Sequence, residues 1–327
     1  KLVQLDCETP LDFTLDDLEL RDPDTDRLLA FLAEMEFRPL SKRIADSLGA
    51  EPPVIPDTNP AGANPTEGDA TPDWPSIDPD SYEHVRDMDT LEAWIARIHA
   101  RGLVAVDTET TSLNEMQAAL VGISLAVEPG QACYIPLRHT EGASGDLFSS
   151  DALAEGQLDL DAVLAALKPV LEDDAILKIG QNMKYDAKIF ARHGIRVAPF
   201  DDTMLMSYAL NAGIHGHGMD TLSERYLSHQ PIPIKDLLGT GKSAITFDRV
   251  PVAEAVKYAA EDADITLRLW HVFKPQLHVE RVTTVYETLE RPLSPVLAQM
   301  ERNGIKVDRE TLSRMSGKFA QKMAQRE

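Results

Sequence analysis

The chain has 327 residues, 43% of them hydrophobic, two cysteines and a formal net charge of -22. That length holds one large domain or a few smaller ones around a real core, and the acidic balance argues against tight non-specific duplex binding by this chain alone, because nucleic-acid binders carry a basic footprint. Cys7 and Cys133 lie far apart without metal-ligand spacing, as expected of a reduced, cytoplasmic setting, and no run approaches the ~20 apolar residues of a membrane span.

No signal peptide opens the chain. It starts at Lys1 and stops inside an amphipathic pattern, and so reads as a piece of a longer polypeptide. Residues 1–48 carry helix-compatible runs, with Leu28, Phe31, Leu32 and Met35 at helical spacing. Residues 49–80 are rich in Pro, Asp, Gly and Thr, lack periodicity and read as an extended, poorly ordered linker. From 81 to 280 the pattern changes. A helix is expected near Asp89 with Leu91, Trp94, Ile95 and Ile98 on one face, followed by the strand LVAVDTET. ALVGISLAVE and ACYIPLR, joined at Pro129 and Gly130, complete an antiparallel meander. DLDAVLAALKPVLE reads as a helix, AILKIG as a buried strand, and MKYDAKIFARHG as a helix ended by Gly194. Three more helical runs follow: DTMLMSYALN, MDTLSERYLSH and VAEAVKYAAEDADITLRLWHVFKPQL. The pattern predicts an α/β domain with a mixed central sheet flanked by helices. Residues 281–327 read as helical and as the start of another unit.

Four acids stand out in three motifs: Asp107 and Glu109 in LVAVDTETTSL, Asp186 in GQNMKYDAKIF, and Asp262 in KYAAEDADIT. Asp107 and Glu109 are two apart on a strand and face the same way. Tyr258 and Asp262 are four apart on a helix and share a face. Converging carboxylates repel, and such a cluster calls for divalent cations. Each motif alone also fits a plain structural role. Asp-Thr-Glu suits a solvated strand end, Asn182 with Asp186 a helix cap and a surface acid, and Tyr258 with Asp262 an ordinary helix face.

In this order, DTET, N-x-x-x-D and Y-x-x-x-D resemble the proofreading 3′→5′ exonuclease family of ribonuclease H-like fold. The flanks GQNMKYD, MDTLSERYL and YAAEDADIT are similar to the exonuclease domain of bacterial DNA polymerase I. The tail ERPLSPVLAQMERNGIKVD resembles the lead-in to the polymerase domain, and LDFTLDDLEL with FLAEMEFRPLSKRI the end of the 5′-nuclease region and its connector. The resemblance implies a first metal ion on Asp107, Glu109 and Asp262. It also implies a second bridged by Asp107 and held by Asp186 largely through water, with Tyr258 hydrogen-bonding the attacking water or hydroxide. Mg²⁺ or Mn²⁺ is implied, with Zn²⁺ an alternative at one site. The implied reaction hydrolyses the 3′-terminal phosphodiester of single-stranded or frayed DNA and releases nucleoside 5′-monophosphates. The implied partner, beside DNA, is the rest of the polymerase polypeptide, and the implied state a monomer.

Leu113 resembles the family's apolar wedge, with a core leucine as the alternative. Gln181, Asn182 and Tyr185 are expected to touch the substrate backbone, Tyr185 equally fitting a core. Ile234 stands where relatives carry a larger aromatic, and Arg225 and Lys242 are candidate phosphate contacts or solvated charges. A ribonuclease D-like enzyme acting on RNA and a catalytically silent scaffold are the competing readings. GTGKS at 239–243 does not read as a P-loop, since no buried strand precedes it and Asp236 takes the place of the first glycine. His215 and His217 lack further ligands at zinc spacing.

Overall fold

A computed structural model describes residues 23–35, 37–50, 74–141, 152–241 and 244–326. The chain divides into two compact units, Lys1–Pro72 and Asp73–Glu327. Cys7, LDFTLDDLEL, most of the linker and Lys242 lie outside the described residues.

In the first unit, α1 (Thr25–Glu34) and α2 (Arg38–Leu48) pair through Leu29, Leu32 and Ala45. The expected face is corrected here: Phe31 and Met35 are half exposed, and Leu29 is buried instead. Two helices bury only one narrow stripe between them, and helical spacing alone does not say which stripe it is.

The second unit is built on a six-stranded sheet in the order β1-β4-β3-β2-β5-β6. Its strands are β1 (Glu83–His84), β2 (Leu103–Thr110), β3 (Leu120–Glu128), β4 (Gln131–Pro136), β5 (Leu177–Gly180) and β6 (Phe200–Asp202). The β2-β3-β4 meander is antiparallel, while β1 joins β4, and β5 joins β2 and β6, in parallel. β1 and β6 were not expected, because two or three residues are too few to show a period. The hairpin between β3 and β4 turns at Gly130, whose φ of 81° favours glycine.

One sheet face carries α3 (Met88–Arg101), α4 (Leu160–Glu172) and α5 (Met183–Arg192). Val104 and Val106 of β2 meet Trp94, Leu167 and Phe190 in that layer. Helix α3 begins at Asp87, whose carboxylate accepts from Thr90 N (2.8 Å). The other face is covered by α9 (Val252–Val279), which follows α6 (Thr203–Asn211), α7 (Met219–Leu227) and α8 (Ile234–Leu238). There Ala105, Ala126 and Ala132 of the sheet meet Ala260 and Ala263 of α9. Alanine on both sides lets the helix axis approach the strands closely, and this brings the polar side chains at the end of β2 up to α9.

Residues 74–80 are not loose linker. Arg268 of α9 lies over the Trp74 ring at 5.8 Å and donates to Pro75 O at 2.9 Å, and Ile77 packs beside Trp270. A tryptophan and an isoleucine bury enough apolar surface to hold this segment despite its polar, proline-rich composition.

After α9, α10 (Thr283–Val285) runs through a π-helical turn into α11 (Arg291–Asn303), and α12 (Arg309–Ala324) follows. Tyr286 is fully buried; its hydroxyl donates to Asp201 Oδ1 (3.0 Å) and accepts from Asp202 N (2.9 Å). Helix α12 buries none of its residues. Among the described residues, no helix is long and apolar enough to cross a membrane.

Candidate active site

Strand β2 alternates. Val104 and Val106 point to the α3–α5 layer, and Ala105 to α9. Period two puts Asp107 and Glu109 on the α9 side as well. On α9, Asp262 faces them, and oxygens of Asp107, Glu109 and Asp262 lie within 4.8 Å of one another. At that separation two full charges repel by about 3.5 kcal/mol at an effective dielectric near 20.

Asp186 reaches the same end of β2 from the opposite face, out of the first turn of α5. It accepts from both the backbone N–H (3.0 Å) and the hydroxyl (2.5 Å) of Thr108, and is buried. The structure therefore brings three of the expected acids together as a ligand set and holds the fourth alongside them. The start of α5 is anchored by Asp202, which accepts from Asn182 N (3.1 Å) and Met183 N (2.9 Å) while also capping α6. Tyr258 lies one turn before Asp262 on α9 and leans on Phe247, with ring centroids 5.9 Å apart.

The electrostatics follow from crowding and burial. Burial raises Asp107 from its ordinary 3.8 to about 7. Glu109, Asp186 and Asp262 are pushed well above the carboxylate range, first by burial and then by one another's charge, with Asp107 acting on all three. Tyr258 is also raised, by burial and by Asp262, Glu109 and Asp107.

This donor set fits divalent cations. Every contributing atom is a hard carboxylate oxygen, and Glu109 Oε1 is buried with no hydrogen-bond partner. A buried acceptor without a donor is costly, and a cation between the carboxylates satisfies it while removing the repulsion.

The remaining expected residues fall into distinct surroundings. Leu113 is 92% exposed, which excludes the core alternative. Tyr185 is half-buried at the edge of the α3–α5 layer, and its hydroxyl donates to Ser112 O at 2.7 Å. The Gln181 amide is engaged at both ends, donating to His217 O (2.9 Å) and accepting from the Thr203 hydroxyl (2.5 Å). Asn182 takes a left-handed conformation, φ 61°, just before α5 and makes no side-chain cap. Ile234 is 41% exposed at the start of α8, and Arg225 is exposed. Helix α8 precedes Gly239, the reverse of a P-loop's strand-loop-helix order. Ring nitrogens of His215 and His217 are taken up by Tyr226, Gly216 and Ser207.

Sequence reasoning missed Thr108, the clamp on Asp186, and Asp202, the clamp on α5. Asp202 before a helical run does carry a capping signal; its reach back to α5 carries none. It also missed Gly122, which pairs with Glu109 across β3. An added Cβ at Gly122 would lie 2.1 Å from the Tyr134 hydroxyl. That hydroxyl sits 2.9 Å from His139 Nε2, while His139 Nδ1 lies 2.9 Å from Val250 O, so that ring's N–H donates to the carbonyl and Tyr134 donates to the ring.

A family model described as 3′–5′ exonuclease matches residues 82–278. DNA polymerase I of Rhizobium leguminosarum is 43% identical over 385 residues, covering 100% of this chain and 38% of the relative. DNA polymerase I of Pseudomonas aeruginosa is 38% identical over 328 residues, covering 99% of this chain and 33% of the relative. The chain thus spans well under half the length of these relatives. Among solved structures, the "POL domain of Pol1 from M. smegmatis complex with DNA primer-template and dNTP" superposes with a TM-score of 0.53 at 20% identity, over 73% of this chain and 35% of that one. A structure described as "apo form of the nuclease" gives 0.50 at 21% identity, over 70% and 96%. These likenesses show the shared fold, the ribonuclease H-like mixed sheet flanked by helices. The chain belongs to the 3′→5′ exonuclease family of polymerase I-type DNA polymerases.

Proposed function

We propose that this chain removes nucleotides from the 3′ end of single-stranded or frayed DNA, releasing nucleoside 5′-monophosphates with the help of two divalent cations. The observation that carries the reading is the convergence of Asp107, Glu109 and Asp262 within 4.8 Å, with a buried Glu109 oxygen lacking a donor. Asp107, Glu109 and Asp262 would hold one ion, and Asp107 with Asp186 the other; Mg²⁺ or Mn²⁺ suits these ligands, and Zn²⁺ is an alternative at one position. When bound, such ions lower the pKa of water and neutralise charge building on the phosphate and the leaving 3′-oxygen.

The chain's own groups do the rest. Tyr258, one turn before Asp262 and with its pKa raised by burial and by that carboxylate, stays a neutral donor able to hold a nucleophilic water. Thr108 fixes the Asp186 carboxylate, so that its oxygens are oriented before substrate arrives. Leu113, exposed on the loop after β2, would pack against the last base and sugar. Asn182 and Tyr185 flank the strand end, and Gln181 acts by holding the 217 loop rather than by a free amide. Selectivity for mispaired ends then comes from melting, since an unstacked terminus reaches the cluster at lower cost.

In this reading 81–280 is the exonuclease domain, 1–48 the end of a 5′-nuclease region and 281–327 the start of a polymerase domain, acting as a monomer in the cytoplasm. Incubation with 5′-labelled single-stranded DNA, with and without Mg²⁺, tests it. A ladder shortening from the 3′ end is expected, abolished by Asp107→Ala and by Asp262→Ala in folded protein. Metal-dependent cleavage surviving in both variants rejects the assignment. A preference for RNA in the same assay favours a ribonuclease, and no Mn²⁺ binding by calorimetry a silent scaffold.

A further inference from the structure

The segment 111–118 after β2 is an apolar point on a rigid base. Leu113 is 92% exposed at its tip, yet the backbone around it is closely tied. Asn114 N donates to Ser112 Oγ (3.0 Å), and Ala118 N to Asn114 O (2.7 Å). Three side chains of α5, spaced three and four apart, hold this segment from one side. The Tyr185 hydroxyl donates to Ser112 O, Arg192 donates to Glu115 O at 3.0 Å and to Ala118 O, and Lys188 binds the Glu115 carboxylate.

Lys188 is the unusual member. It is only 3% exposed, where a lysine is seldom found without partners. It sits between two carboxylates from different elements, Glu115 of the loop and Glu301 of α11. A buried charge pair restricts geometry more than it adds stability. It lies on the same helix as Asp186, two residues on.

We propose that Lys188 is a positioning residue for the substrate's 3′-terminal nucleotide. Through Glu115 it fixes the 111–118 loop against α5, and so sets where Leu113 stands relative to the carboxylate cluster. The inference rests on the exonuclease reading above. Lys188 touches no reacting atom, so its loss acts on substrate placement and not on the chemical step.

The test is steady-state cleavage of 5′-labelled single-stranded DNA at saturating Mg²⁺ by Lys188→Met, Glu115→Gln, Leu113→Ala and Lys188→Met/Leu113→Ala, with Asp107→Ala as the inactive control. Lys188→Met and Glu115→Gln are expected to raise KM about fivefold with kcat within about twofold, the pattern of lost ground-state placement. The double variant should be no worse than Leu113→Ala alone, because Lys188 acts through that side chain. Glu301→Gln should leave KM unchanged, since the loop stays tied by Glu115. Additive losses in the double variant, a fall in kcat with KM unchanged, or a Glu301→Gln effect equal to that of Glu115→Gln would each overturn the proposal. Undiminished cleavage by the Asp107→Ala control would instead overturn the exonuclease reading, so the two failures are told apart. If Lys188→Met does not fold, as judged by its melting curve, Glu115→Gln and its double with Leu113→Ala answer the same question.

Discussion

Replacing Asp107 by asparagine should stabilise the metal-free protein at pH 8 while abolishing exonuclease activity. Asparagine keeps the shape and removes the charge. In the fold burial pushes the Asp107 carboxyl up from its ordinary 3.8 to about 7. Between those two values the folded state holds a proton that the unfolded state has lost. Stability therefore falls as pH rises through that window, and the whole cost is present above it. The shift of about 3 units is worth about 4 kcal/mol as a ceiling at 1.36 kcal/mol per unit. Partial solvent access at Asp107 and the sharing of protons with Glu109, Asp186 and Asp262 bring the expected gain nearer ~2 kcal/mol. For a domain of this size that is roughly 4–8 °C in Tm. The assay is thermal unfolding of wild type and Asp107→Asn in EDTA at pH 8 and again near pH 4. The difference should be large at pH 8 and small at pH 4. Saturating Mg²⁺ should close it at pH 8 by stabilising the wild type more. Equal melting temperatures at pH 8 without metal, or a less stable variant, would refute the reasoning that these carboxylates are crowded and poorly hydrated.

Mn²⁺ binding between pH 5 and 7 should release protons, since Asp107, Glu109, Asp186 and Asp262 all have raised pKa values that a cation reverses. Calorimetry in two buffers of different ionisation enthalpy measures this, and zero release throughout contradicts a tight cluster. Gly122→Ala should cost about 1–3 kcal/mol in urea unfolding, because its Cβ would sit 2.1 Å from the buried Tyr134 hydroxyl. An unchanged midpoint would mean that the sheet gives way there at no cost.

Part of the site was legible because its geometry is local. Asp107 and Glu109 share a face by the period of a strand, and in the structure their oxygens meet; Tyr258 and Asp262 share one by the period of a helix, and both lie on α9. Leu91, Trp94 and Ile98 were legible for the same reason. The failures were where local signals ran out. Strands β1 and β6 are too short for a period to register. Phe31 and Met35 have the spacing of Leu28 and Leu32, and nothing in that spacing marks them as exposed. Trp74 and Ile77 sit in linker-like composition yet pack beside α9.

The sequence by itself determined which oxygen donors share a face and therefore which class of ion and chemistry they suit, because the repeat of a strand or helix is a property of a few consecutive residues. Only the tertiary structure decided that β2, α5 and α9 bring their carboxylates to one place, that Asp186 is bound by Thr108, and that Leu113 projects from a loop held by Lys188. Charge repulsion, loss of hydration and a buried lysine's choice of partners depend on distances through space. Those distances exist only once alanine-lined packing has drawn α9 down onto the sheet.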